Sequence, residues 1–220
     1  MTEDEKWMRR CLQLARCGET GAPPNPMVGA VIVFGDRIIG EGYHAHCGEG
    51  HAEENAFHAV RHPEPLERAW WDVRLEPCAH FGRTPPCAKL IIEKGVKNVV
   101  VGMVDPFAKV NGQGIRMLRE AGVKVTTGIL ESECRQLNKK FIVCQTHGRP
   151  FITLKWAQSA DGLMAPAVAG CSPIFVSSPC TLIRVHHLRA SHQAVLVGRR
   201  TAETDNPSLT LRYWAGTQPL

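Results

Sequence analysis

Apolar residues recur along the first third of the chain with two different periods. Trp7, Met8, Cys11, Leu12, Leu14 and Ala15 fall at helical spacing and predict a helix over residues 3–17. The Gly/Pro stretch GETGAPPNPMVG reads as a loop. GAVIVF and RIIGEGYH flank the pair Gly35-Asp36 and read as a β-hairpin. HAEENAFHAVRH predicts a second helix, ended before Pro63, and AWWDVRLEP a strand running to Pro77. PPCAKLIIEKG predicts a third helix with Gly95 as its C-terminal cap, and VKNVVVGMVD a buried strand. GQGIRMLREAG, VKVTTGIL and ESECRQLNKKFIVCQT continue as helix, strand and helix. This order predicts the α/β class, with a mixed sheet sandwiched by helices.

The pattern breaks at HGRP, residues 147–150. Beyond it, FITLKWAQSADG reads as a strand and loop, SPCTLIRVHHLRA as a helix, QAVLVG as a buried strand and RRTAETDNPSLTLR as a polar loop. Two strands and one helix bury little by themselves. The expectation is a first domain over residues 1–146, then a second, incomplete one over 150–220 that docks on the first or on a partner.

Composition narrows the class. At 220 residues the chain has room for one to two domains, and 44% hydrophobic with 21% charged residues is the balance of a soluble globular protein. No run of about 18 apolar residues marks a membrane span. The N-terminus, MTEDEKWMRRCLQLARCGE, is charged and amphipathic and lacks the apolar core of a secretory signal, so a cytoplasmic location and no membrane partner are expected. The net charge of +5 suits an anionic substrate, but Lys and Arg form no stripe of the kind that binds nucleic acid. Nine cysteines, an odd number in a chain without an export signal, read as reduced thiols.

Two of those thiols stand apart. Cys78 and Cys87 each follow a proline, Pro77 and Pro86, in RLEPCAHFGRTPPCAKL. With His51 they supply the three ligands that a catalytic zinc needs, leaving a fourth position for water. Zinc lowers the pKa of that water toward neutrality and keeps the thiolates deprotonated, helped by helix N-termini beyond the Cys-containing turns. A structural zinc would recruit His80 or Cys47 as a fourth ligand. A redox dithiol is disfavoured because no C-x-x-C is present. Helical geometry alone does not choose the proton shuttle: Glu54 or Asn55 would sit closer than Glu53 to the face of His51. The zinc deaminase signature, His-x-Glu followed by Pro-Cys-x-x-Cys, selects Glu53 as acid/base. Here the second Cys lies nine positions on, beyond the inserted loop AHFGRTPP.

The stretches PPNPMVGAVIV, GEGYHAHCGEGHAEENAF, LEPCAHFGRTPPCAKLI, VVVGMVDPFAKVNGQGI and LNKKF closely resemble the bifunctional deaminase/reductase family of riboflavin biosynthesis. The resemblance implies a three-layer α/β/α cytidine-deaminase-like domain that deaminates a diaminopyrimidinone ribosylamino phosphate. A zinc-bound hydroxide would attack, and Glu53 would shuttle protons to the ring nitrogen and the leaving amine. It further implies that Asn25, His44, His80 and Arg83 contact substrate, with Arg83 a bidentate phosphate ligand. The loop DPFAKVNGQG is expected to border the site.

RPFITLKWAQSADG, HHLRA and AVLVGRRTAETDNPSLTLR resemble the start of the family's NADPH-dependent, dihydrofolate-reductase-like half. This implies Ser172, Arg189, Leu209 and Arg212 at the ribosyl phosphate, and Ala157, Ile174, Thr201 and Asp205 at the nicotinamide cofactor. Ile174 stands where the family usually has Trp, and no G-x-G-x-x-G loop is present. The expectation is a deaminase whose reductase half is inactive in this chain, associating as a homo-oligomer through apolar surface that the second domain leaves uncovered. The competing readings are a zinc deaminase acting on a nucleoside or a tRNA base, and a non-catalytic scaffold.

Overall fold

The computed structural model describes residues 1–61, 66–81, 85–107, 110–164 and 176–220. The chain divides into two units, Met1–Phe151 and Ile152–Leu220.

The first unit begins with α1 (Glu3–Arg16), started by a capping box in which Thr2 and Glu5 satisfy each other's backbone N–H. The hairpin β1 (Gly29–Phe34) and β2 (Arg37–Tyr43) follows, then α2 (Ala52–His58), β3 (Trp70–Leu75), α3 (Cys87–Glu93), β4 (Asn98–Met103), α4 (Gln113–Glu120), β5 (Lys124–Thr127), α5 (Glu131–Leu137) and α6 (Lys139–His147). The sheet order is β2-β1-β3-β4-β5. β1 runs antiparallel to β2 and β3, while β3, β4 and β5 are parallel. The sheet is therefore mixed and the fold in the α/β class.

Both faces of the sheet are covered, which is why β1, β3 and β4 read as nearly continuous apolar runs. On one face Ile32, Trp71, Val73, Val99 and Val101 pack with Ala52 and Ala56 of α2, Ile91 of α3 and Leu118 of α4. On the other, Val31, Val33 and Val100 pack with Met8, Cys11 and Leu12 of α1 and Cys134 of α5. The hairpin and α2 lie unusually close. A Cβ on Gly42 would fall 2.4 Å from the backbone N of Ala56, so only glycine permits that separation.

Two helices depart from the pattern. Residues 131–146 do not form one helix. The chain breaks at Asn138 (φ −104°, ψ 24°), whose side chain is committed elsewhere. α2 is also shorter than HAEENAFHAVRH suggests and starts one residue after His51, which is its N-cap.

In the second unit the described residues form α7 (Pro179–Ala190), capped by the Ser178 side chain, and α8 (Arg199–Asp205). The two expected strands are absent from its described residues, and the expected polar loop is helical at α8. A strand exists only as part of a ladder. Here Val195 and Leu220 donate to Leu220 and Gln193 without extending into one, and Leu154 (78%) and Leu196 (97%) are exposed. α8 forms because Gly198 caps it, Arg199 and Glu203 pair one turn apart, and Asn206 ends it in the left-handed region at φ 39°. Among the described residues no helix is long and apolar enough to cross a membrane.

Candidate metal centre and pocket

The site lies where the parallel strands β3 and β4 end, the usual place for a ligand in an α/β sheet. Three chain turns converge there. His51 caps α2 in an extended conformation (φ −73°, ψ 166°). Cys78 sits in the turn after β3, and Cys87 opens α3 behind Pro86. A helix begins at Cys87 but not after Cys78, and the start of α3 supports the Cys78 turn: the Cys87 N–H donates to Cys78 Sγ at 3.3 Å, and the Ala88 N–H to the Cys78 carbonyl at 3.1 Å.

His51 Nδ1 lies 3.2 Å from Cys87 Sγ and 3.7 Å from Cys78 Sγ, and the three donor atoms fall within 4.8 Å of one another. Tetrahedral zinc with ordinary Zn–S and Zn–N bonds sets its ligand atoms about 3.6–3.8 Å apart, so this donor set fits zinc in both type and spacing. The three groups share protons among themselves, and binding a cation would release those on Cys87 and His51. Cys78 is pushed down to about 4, chiefly by the Cys87 thiol donating to it and also by His51. Cys87 is correspondingly raised by Cys78 and by burial, and hydrogen bonding to Cys78 raises His51 to about 9.

Glu53 is 4% exposed and stands beside this cluster. Burial raises its carboxyl from 4.5 to about 7, against the pull of His51. The expectation that Glu54 or Asn55 would be better placed fails for a simple reason. It treats His51 as part of the helix, whereas His51 is the cap, and helical spacing does not run through it. Asn55 instead ties the preceding loop, donating to the carbonyls of Tyr43 and Gly50.

A cavity of about 500 Å³ opens above the cluster and is lined in part by Asn25, His44, His51, Glu53, Cys78 and His80. Asn25 Nδ2 and His44 Nε2 are 3.1 Å apart, and His44 Nδ1 bonds the Gly50 carbonyl. Burial lowers the His44 pKa. The His80 ring meets Phe107 edge-on at 6.2 Å. Arg83 lies outside the described residues. Asp105, Phe107 and Val110 of the loop DPFAKVNGQG line the cavity, as expected of that loop, and Asp105 is a buried carboxylate raised to about 6 chiefly by desolvation.

In the second unit Arg189 of α7 donates to the Thr210 carbonyl, while Arg212 Nη1 donates to Ser208 Oγ and Thr210 Oγ1. Both cations thus bind the segment 208–212, in which Leu209 stands at φ 50°. Ala157 is half-buried, and Thr201 and Asp205 are exposed on α8. Ser172 and Ile174 lie outside the described residues.

This sheet and this donor set define the zinc deaminase class. Residues 1–103 match the family model of the cytidine and deoxycytidylate deaminase zinc-binding region, and residues 150–220 match that of the RibD C-terminal domain. The chain is 45% identical over its whole length to riboflavin biosynthesis protein RibD of Synechocystis, and 43% identical over 96% of its length to that of Escherichia coli. It is similar to RibD proteins in both of its parts. It spans 59% and 56% of those two relatives. A solved structure of a diaminohydroxyphosphoribosylaminopyrimidine deaminase/5-amino-6-(5-phosphoribosylamino)uracil reductase from Thermotoga maritima superposes with a TM-score of 0.91 at 42% identity, covering 98% of this chain and 61% of that one. The Aspergillus oryzae Rib2 deaminase, solved in complex with DARIPP, matches at 27% identity and a TM-score of 0.50, covering 66% of this chain and 95% of that one.

Proposed function

We propose that the first unit is a zinc-dependent deaminase of riboflavin biosynthesis, acting on a diaminopyrimidinone ribosylamino phosphate. The observation that carries this reading is the His51/Cys78/Cys87 donor set with the buried carboxyl of Glu53 beside it, at the base of the cavity. Zinc held by those three residues would supply a water activated at neutral pH. The chain's own part is proton transfer and positioning. Glu53 would take one proton from the attacking water and pass it to the ring nitrogen, then carry a second, from the hydroxyl gained by the ring carbon, to the departing amine, a task suited to a carboxyl titrating near neutrality. His44, held by Gly50 and Asn25, and His80 orient the pyrimidine. Arg83 is assigned to the phosphate. The similarity to the Thermotoga deaminase/reductase and to the Aspergillus Rib2 deaminase solved with DARIPP supports this substrate class.

The second unit is assigned to the NADPH-dependent reductase half, with Ser172, Arg189, Leu209 and Arg212 at the ribosyl phosphate and Ala157, Ile174, Thr201 and Asp205 at the cofactor. The reading also places the protein in the cytoplasm as a homo-oligomer.

The test is ammonia release from the diaminopyrimidinone ribosylamino phosphate, with cytidine as control and zinc content measured on the same preparation. Release from the pathway substrate alone, at about one zinc per chain, supports the reading. Release from cytidine alone, or a chain that turns over without metal, overturns it.

A further inference from the structure

One buried carboxylate next to the metal-binding turn belongs to no step above. Glu76 follows β3 directly and lies two positions before Cys78, with 3% of its surface exposed. It accepts four backbone hydrogen bonds. Oε1 accepts from Gly114 N (2.9 Å) and Ile115 N (3.2 Å), and Oε2 from Gly112 N (2.8 Å) and Asp105 N (3.2 Å). Its own N–H donates to the Met103 carbonyl at the end of β4. The contact is close-fitting: a Cβ on Gly114 would stand 1.9 Å from the Pro77 carbonyl oxygen.

We infer that Glu76 is a positioning residue for substrate binding: it clamps the cavity wall carried by Asp105 and Phe107 onto the turn that carries Cys78. The inference rests on the deaminase reading for its kinetic consequence. All four partners are donors, so the site needs two acceptor oxygens. Two of the bonds go to first-turn amides of α4, where the helix dipole favours a carboxylate. The Asp105 amide held by Glu76 leads to the Asp105 carboxylate, which in turn accepts from Phe107 N at 2.8 Å, and Phe107 meets the His80 ring. One carboxylate thus sets three side chains of the cavity. The Cys78 sulfur has its own support from α3, so loosening the wall leaves the metal ligands in place.

The experiment is Glu76→Gln. The amide replaces one oxygen with an NH₂ that faces two N–H donors, which breaks one pair of bonds while keeping shape. The expected result is about one zinc per chain, a KM raised about tenfold, a kcat within about threefold of wild type, and faster hydrogen exchange at the amides of Asp105, Gly112, Gly114 and Ile115 with β1 and β3 unchanged. An unchanged KM, or unchanged exchange at those four amides, overturns the inference. So does a variant that loses zinc or its helical circular dichroism, because the carboxylate would then be holding the metal turn or the whole fold. If the wild-type chain releases no ammonia at all, the deaminase reading falls and the clamp is judged by exchange alone.

Discussion

Asn138 holds both backbone groups of Met27, accepting from its N–H at 3.1 Å and donating to its carbonyl at 3.2 Å, across 111 positions of sequence. One side-chain amide thereby imitates a rung of a β-ladder. It fixes the corner between α5 and α6 to the loop that presents Asn25 to the cavity, while Phe141 and Gln145 of α6 line the same cavity. Asn138→Ala strands a donor and an acceptor together and is expected to lower the free energy of unfolding by about 1–3 kcal/mol. Urea denaturation monitored by circular dichroism measures it, and Asn138→Asp, which keeps only the acceptor, should also fall below wild type.

The donor set and the carboxyl beside it should separate cleanly. His51→Ala is expected to lose zinc and turnover together, since two thiolates remain for a cation that needs three protein ligands. Glu53→Gln should keep about one zinc per chain and lose about 10²–10⁴-fold in kcat. Metal analysis beside the ammonia assay distinguishes the two, and normal turnover in Glu53→Gln would remove Glu53 from the mechanism.

Asp72 supplies a pH dependence of stability remote from the metal. It is buried between the sheet and α1, and its Oδ1 accepts no hydrogen bond among the described residues. Burial lifts its carboxyl from 3.8 to about 8, with Asp4 adding to the effect. The folded state therefore holds a proton that the unfolded state releases. Stability from this group is complete below about pH 4 and is lost progressively as pH rises to about 8. Asp72→Asn should match wild type near pH 4 and exceed it at pH 8, and melting temperatures across that window provide the measurement. An Asn variant with the wild-type slope would show that the charge is accommodated.

Gly114→Ala is expected to destabilise by about 1–3 kcal/mol, because the added methyl collides with the Pro77 carbonyl, a backbone group that cannot swing aside. Thermal unfolding checks this.

Strands β1, β3 and β4 were legible because each is a largely apolar, largely buried run bounded by turn residues. The helix break at Asn138 was not, since a side chain bound 111 positions away leaves no local trace. The strands expected near Leu154 and Leu196 had the right residues but no ladder to join among the described residues. His51, Cys78 and Cys87 could be picked out because so few other functions need that combination beside prolines. Glu53 could be chosen only through the signature, because the geometry that justifies it, His51 as a cap outside the helix, is invisible in spacing. Glu76 stayed hidden because a carboxylate that serves backbone amides looks, in a sequence, like any other acidic residue.

The close approach of Gly42 to α2 bears on how the protein could change its diet. Hairpin and helix touch backbone to backbone, so the helix carrying Glu53 cannot shift to admit a larger ring without rebuilding both elements. Among the described residues, the segments after β3 and β4 meet that closely only where Gly114 faces the Pro77 carbonyl, and are otherwise joined mainly through the Glu76 carboxylate. New substrates would be won by redrawing those loops, while the reacting end of the pocket is inherited unchanged.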